Sequence, residues 1–558
     1  MRTWIALGAA ALLMAALALP VWAQTPNSAY VLCGLSPSIH RLNLDTGILT
    51  NNLFPVSGIP SVVRVHKNKG YILDSQSNRF FIFDLLSNTP VDTIQLTGQN
   101  PWDIAFQNPA TAYVTNWVSD DVSMINLATG QQTQLIPCGP DPEGILVHNG
   151  KLYISCVDFN EQTWTYGPGR VQVYDLATGT FETTLWTNTV NPQALALDDL
   201  DRLHVVCTGN YFAQWGSVEI YDLATATLVM TIPIGGTPGS ITLNLDGIAY
   251  LGAGGWGTQG YIYSYNSLTG SILHGSANPI VVAPGVWGVD VSQFGRIYAC
   301  CQMGDALAEL DSAGMLINSY AIAGGPQSVA VYNRPDLAVT LTPTVYPIQI
   351  PPGGGSFTYR LDIANQGVLP ALFDVWIEAV LPNGTVWPIL QRLNVELAAG
   401  SSILRSVTQF VPGHAPAGTY QFRGAAGYED TEEELACDSF DFAKTGLTDG
   451  AGDWAWSDNL TEALPTQVAP LPADLEVQVH PNPFNAALQI SFSLPTAGDV
   501  QLSLYDLAGR QVALLAQGLM PAGIYTVGYS ANNLASGIYL YVLQTPVGNS
   551  RGRMLHLK

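Results

Sequence analysis

One short segment recurs seven times in the first three-fifths of the chain, and it restricts the fold more than any other feature. It is a strand of alternating apolar and polar residues ending in a turn led by Asn or Asp, as in Asn43-Leu44-Asp45-Thr46-Gly47 and Asp175-Leu176-Ala177-Thr178-Gly179. The copies span 39–47, 80–85, 122–130, 171–179, 218–225, 262–270 and 307–314. The alternation marks a half-buried strand, and the closing Gly, where present, supplies positive φ for the turn. A second strand precedes each copy, beginning at Tyr30, Tyr71, Tyr113, Tyr153, His204, Tyr250 and Tyr298. The spacing runs from 40 residues (Tyr113 to Tyr153) to 51 (Tyr153 to His204). A third, apolar strand comes before that, led by Pro60, Pro101, Pro142, Pro192, Pro238, Pro284 and Pro326. Four strands per repeat at this period predict a β-propeller. The first repeat opens at Tyr30 without a Pro-led strand, while a surplus one stands at 325–332. Pairing the two closes a ring of seven blades over residues 24–335 and leaves no open edge.

At Tyr113-Val114-Thr115-Asn116 the chain resembles the YVTN-type repeat family of propellers. The resemblance implies the fold of residues 24–335 and not a function, because propellers host many.

The bulk numbers agree with short strands and tight turns: 54 Gly, 36 Pro and 11% charged residues in 558. With 20 basic and 43 acidic residues the net charge is −23, which offers no electrostatic footprint for nucleic acid or anionic lipid and serves solubility. Residues 1–23 read as a signal peptide: Arg2, an apolar run over 4–19, Pro20, then Val21-Trp22-Ala23 before Gln24. No later stretch holds about 18 consecutive apolar residues, so no transmembrane helix is expected in the mature chain. Cys33 does not directly follow the apolar run and is not read as a lipid-attachment cysteine.

Seven cysteines in an exported chain invite a disulfide framework. The repeat argues against one. Cys33, Cys156, Cys207 and Cys301 each stand three residues after the repeat's Tyr or His, so they are equivalent sites in different blades, too far apart to bridge. Buried thiols packed between blades are expected. No Cys-x-x-Cys or His pair has metal-ligand spacing, so no metal and no cofactor is predicted.

Loops held by a rigid scaffold are where binding usually lives. The loops leading into the first strands carry Trp102, Asp103, Glu143, Gln193 and Trp287. The loops between second and third strands, on the same face, add Asp158, Trp164, Asn210, Trp215 and Trp256, with Trp117 and Asp120 from a neighbouring blade. Aromatic platforms beside amides and carboxylates suit a glycan, peptide or protein ligand. The chain has no His-Glu-x-x-His, no Gly-x-Ser-x-Gly and no phosphate loop. The expected function is non-catalytic binding. One alternative is a lactonase-like hydrolase or lyase using Asp103, Glu143 and Asp290 at the channel mouth, and another is a structural surface component.

Residues 336–446 lose the repeat and show alternating strands separated by Pro- and Gly-rich turns, which predicts an Ig-like β-sandwich. The acidic run 429–434 reads as a solvated loop rather than a calcium site. Residues 447–472 are Gly-, Asp- and Pro-rich and read as a linker. The fold class is thus all-β, a seven-bladed propeller followed by two sandwiches.

The second sandwich begins at 473. Its landmarks are Pro481-Asn482-Pro483-Phe484-Asn485, then Asp506-Leu507-Ala508-Gly509-Arg510, Gly537-Ile538-Tyr539 and the ending Arg553-Met554-Leu555-His556-Leu557-Lys558. On these residues 473–558 resembles the type IX secretion C-terminal sorting domain, Ig-like and similar to the domain of flagellar hook-capping proteins. The resemblance implies passage through the periplasm and across an outer membrane by that secretion machinery, and a protein that is released or held at the cell surface.

Overall fold

The computed structural model describes residues 24–254, 259–446 and, with short gaps, 475–557. The signal peptide and linker expected from the sequence lie outside these residues. Among the described residues the only helical segments are the single 3-10 turns Gln302–Gly304 and Glu429–Thr431, and all other regular structure is strand. Among the described residues no helix is long and apolar enough to cross a membrane.

Between Ser28 and Tyr332 the strands form seven antiparallel sheets of four or five strands and one two-stranded ribbon, Phe159–Asn160 with Thr165–Tyr166. Lys69–Asp74, for example, pairs on one side with Pro60–His66 and on the other with Arg79–Asp84, which pairs with Thr89–Gln95. The burial gradient explains the repeat pattern. Second strands such as Ser28–Cys33 are covered on both faces, while fourth strands such as Thr89–Gln95 are almost wholly exposed. Turn chemistry explains the Asn/Asp-x-x-Thr-Gly signature. Asn43 Oδ1 accepts the backbone N–H groups of Asp45 and Thr46, and Gly47 follows at φ +70°. Asn126 and Asp175 repeat this arrangement.

Five of the larger sheets are built from consecutive strands, and a sixth, from Pro142–His148 to Thr180–Trp186, is interrupted only by that ribbon. The remaining one joins Ile48–Thr50, Ser38–Asn43 and Ser28–Cys33 to Pro326–Tyr332, with Ala29 opposite Val331 and Val31 opposite Val329. The surplus strand therefore completes the first sheet. The first strands also pack side by side. Pro326–Tyr332 lies against Pro60–His66, followed by Pro101–Asn108, Pro142–His148, Pro192–Leu197, Ser240–Leu243 and Val286–Val291, which returns to Pro326–Tyr332.

The cysteines follow the repeat register. Cys33, Cys156, Cys207 and Cys301 pair with Pro326, Pro142, Pro192 and Val286, and all seven cysteines are free thiols. Val286, not Pro284, opens its strand in register. His204, at a Tyr position, is fully buried between Tyr265 Oη (2.6 Å) and Asp198 Oδ2 (3.1 Å).

Residues 337–444 form a three-stranded and a five-stranded sheet around a core of Phe357, Tyr359, Phe422 and Phe442. This segment is seated on the first one. Lys67 Nζ donates to both carboxylate oxygens of Asp374 (2.8 and 2.9 Å), and the Tyr332 and Tyr428 hydroxyls meet at 3.2 Å. The acidic run is not a solvated loop. Glu433 and Glu434 are buried, and Glu433 accepts the Thr25 N–H and hydroxyl. Asp430 bonds Asn68 and Lys69. The run faces basic and polar partners some 360 residues away, which local composition does not reveal.

The C-terminal segment has two further sheets around Phe484, Ile490, Leu502, Leu504, Leu543 and Met554. Asn482 ties its motif to the last strand: its Nδ2 donates to Arg553 O (3.0 Å), and its Oδ1 accepts Leu555 N–H (2.9 Å). Asp506 accepts the Arg510 N–H and Nε, which ties the end of one strand to the start of the next. Gly537 opens a strand with room around its α-carbon. Pro481, Pro483, Gly509 and Lys558 lie outside the described residues.

Candidate functional site

The seven first strands surround a cavity of about 560 Å³. Local backbone geometry sets what faces it. In six of the sheets the pairing shifts just after the strand's opening residue, between Pro60 and Val63, Pro101 and Ile104, Pro142 and Ile145, Pro192 and Leu195, Val286 and Val289, and Pro326 and Ser328. Such bulges bend the strand and re-aim side chains. The opening residue is Pro in five of these, which suits the first position of a strand. The residues just after these openings, Ser61, Trp102, Glu143, Gln193, Trp287 and Gln327, line the cavity, together with Gly239 from the remaining sheet.

A circle of hydrogen bonds fixes each sheet to the next around this cavity. Gln327 Nε2 donates to Pro60 O (2.5 Å), Ser61 Oγ to Pro101 O (3.1 Å), Thr115 Oγ1 to Glu143 O (2.7 Å) and Ser155 Oγ to Gln193 O (2.7 Å). Thr208 Oγ1 donates to Pro238 O (2.7 Å) and Ser240 Oγ to Trp287 O (2.5 Å). The last step is the Val331 N–H donating to Asp290 Oδ2 (2.7 Å). Asp290 also accepts Val291 N–H and the Thr242 hydroxyl, so it serves as a brace and does not line the cavity. Burial nevertheless pushes its carboxyl pKa up.

The lining is aromatic, amide and acidic. Trp102 is 36% exposed, with Trp117 behind it at 6.3 Å between ring centroids, and Trp287 is 45% exposed. Asp103 pairs with Arg64 on the adjacent strand at 2.9 Å. Gln193 donates to Asn191 Oδ1 (3.3 Å). Its Oε1 faces the space left by the missing Cβ of Gly239. Glu143 is 6% exposed, and its carboxyl makes no hydrogen bond among the described residues. Burial, with Asp141 nearby, pushes its pKa up to about 8.

Of the residues expected at the site, Trp102, Asp103, Glu143, Gln193 and Trp287 line one cavity. The others stand outside its lining. Asp120 accepts Asp141 N–H, and Asp158 pairs with Arg170 at 3.6 Å. Asn210 caps its own loop through the Phe212, Ala213 and Gln214 N–H groups. Trp164, 77% exposed, packs edge-on to Phe159, and Trp215 is 56% exposed. Trp256 lies outside the described residues. Sequence reasoning missed Arg64, Tyr211 and Gln327. Gln327 follows Pro326 in the repeat and could have been found by register, and Tyr211 by its place beside Asn210 in the enlarged loop 210–215; Arg64 carries no such signal. No histidine lines the cavity, and no group of three or more His, Cys, Asp or Glu among the described residues is placed to hold a metal ion.

Residues 478–554 match the family described as the secretion system C-terminal sorting domain. The chain is 25% identical over 190 residues to Antigen Lp49 of Leptospira interrogans, a match covering 32% of this chain and 39% of that protein's length. Among solved structures, Kuenenia stuttgartiensis hydrazine synthase aligns at a TM-score of 0.41 and 15% identity, covering 49% of this chain and 89% of that one. A nidogen/laminin complex chain aligns at 0.36 and 13%, covering 55% and 98%. The chain thus carries a type IX sorting tail, an address for the cell surface or the exterior.

Proposed function

We propose that this is an exported, surface-held, non-catalytic binding protein whose recognition unit is a seven-bladed propeller of the YVTN type over residues 24–335. In this reading 1–23 is a signal peptide, 336–446 an Ig-like sandwich, 447–472 a linker and 473–558 an Ig-like sorting domain. The cavity takes a glycan or peptide ligand. The observation that carries the proposal is the lining: the seven first strands each place a residue on one cavity, and two of these are part-exposed tryptophans, Trp102 and Trp287. Such faces stack on the apolar side of a ligand, while Gln193 and Glu143 offer hydrogen bonds at its edges. The match to a leptospiral antigen fits a protein displayed outside the cell.

Glycan and peptide arrays probed with the full chain, followed by fluorescence titration, test the proposal. A saturable ligand should lose at least tenfold in affinity when Trp102→Ala and Trp287→Ala are combined. Full binding by the double variant overturns the site. The export reading predicts that a chain lacking residues 473–558 stays in the periplasm, and its appearance in the medium or on the surface overturns that reading.

A further inference from the structure

Glu143 is the one lining residue whose charge chemistry the protein leaves unanswered. The other lining carboxylate, Asp103, has Arg64. Gln327 is spent on Pro60 O and Ser61 O. Glu143 is over nine-tenths buried and borders the cavity, and its carboxyl has no protein hydrogen-bond partner among the described residues. A buried carboxylate without a partner is costly, and a protein retains one where something else supplies the partner.

Its surroundings select the partner's sign. Asp141 stands two residues before it and shares the electrostatic field that disfavours its ionisation. Asp120 and Asp158 lie on the same side, Asp120 accepting the Asp141 N–H and Asp158 adding to the field on Asp141. The other titratable groups that interact with Glu143 are the Tyr166 and Tyr211 hydroxyls, themselves pushed up and neutral. On the neighbouring first strand Asp103 is held by Arg64, and Trp102 occupies the register position equivalent to Glu143. A carboxyl in an acidic wall beside an indole suits a cationic nitrogen, which gains both ion pairing and cation–π attraction.

Resting on the cavity being the ligand site, we infer that it takes a ligand bearing a cationic nitrogen, an ammonium or guanidinium, seated against Glu143 and flanked by tryptophan. The empty site holds the carboxyl protonated at neutral pH. Binding of the cation ionises it, and one proton leaves to solvent for each ligand bound. The nitrogen can belong to a Lys or Arg side chain of a peptide or to a free alkylammonium.

Calorimetric titration of the full chain distinguishes the outcomes. The probes are Lys- and Arg-containing peptides, their Nε-acetylated or citrulline counterparts, butylammonium and tetramethylammonium, and uncharged oligosaccharides. Charged probes should bind, and removal of the charge should cost at least tenfold. Glu143→Gln should cost as much while unfolding cooperatively. At pH 7 the binding enthalpy should change with the ionisation enthalpy of the buffer, which reports proton release by the wild-type chain even if the variant fails to fold. Peptides binding and free ammonium ions failing would place the nitrogen on a polypeptide, and the reverse on a small molecule; both outcomes support the inference. Oligosaccharides binding equally to wild type and Glu143→Gln, with no proton release, overturn it and leave the binding function standing. Binding of none of the probes, charged or neutral, overturns both.

Discussion

At the scale of single residues, Glu143 trades stability for a vacant carboxyl. Its folded pKa of about 8 lies above the unfolded value near 4.5, so the folded state keeps a proton that the unfolded state releases. The penalty is absent below the unfolded value, grows as pH rises between the two, and is complete above the folded one. Replacement by Gln removes the group. The melting temperature of Glu143→Gln should therefore match wild type near pH 4.5 and exceed it increasingly up to about pH 8, measured by scanning calorimetry. A constant difference across that range would contradict the burial given to this carboxyl. Glu143, Gln193 and Trp102 were legible in the sequence because each directly follows a repeat Pro, and Trp287 because it stands in the same entry loop, three residues after Pro284. Arg64 was not, because its partner Asp103 lies on a different sheet and no register relation links them. The loop aromatics misled for a similar reason: exposure of Trp164 and Trp215 follows from loop shape, which the repeat does not encode.

At the scale of elements, the strand Pro326–Tyr332 has the same role as the first strands of the other sheets but comes from the far end of the repeat region. Its ladder with Ser28–Cys33 is buried on both sides. Ala330→Pro, opposite Tyr30, would remove a ladder donor and leave a buried acceptor unmet, costing about 1–3 kcal/mol. Ile317→Pro provides the contrast, on the exposed fourth strand Leu316–Ala321 at a position without a ladder partner. Ala330→Pro should lower the midpoint of urea unfolding clearly and expose residues 28–50 to protease, while Ile317→Pro should do neither. Equal effects would show that the joining strand carries no special load. The turn and strand register of this region was readable because Asn/Asp turns and two-residue alternation are local. The bulges that aim side chains inward were not, since they depend on pairing with the neighbouring strand.

At the scale of the whole molecule, the segment 337–444 is fastened to the first by ions that neither segment explains alone. Asp374 is 1% exposed and accepts Lys67, the Asn394 N–H and the Glu429 N–H. Asp374→Ala leaves Lys67 largely buried without its counter-charge and should cost about 3–5 kcal/mol. Denaturation followed by tryptophan fluorescence and by circular dichroism should then give two separated transitions instead of coincident ones. Coincident transitions at an unchanged midpoint would mean that the junction contributes nothing. This junction was invisible in the sequence, where residues 429–434 looked like solvent-facing charge.

The strand that completes the first sheet also sets a timetable. Ser28–Cys33 is made early, yet its partner arrives about 300 residues later. Contacts of such sequence separation form slowly, because the loop must close before any pairing rewards it. Until then the oldest sheet keeps an unpaired edge, the kind that templates association with other chains. At ~5–20 residues per second the interval is on the order of tens of seconds. A chain addressed by its sorting tail to the cell surface or exterior thus begins its journey with that edge unprotected, and a holding chaperone on the route would have its strongest claim on residues 28–33.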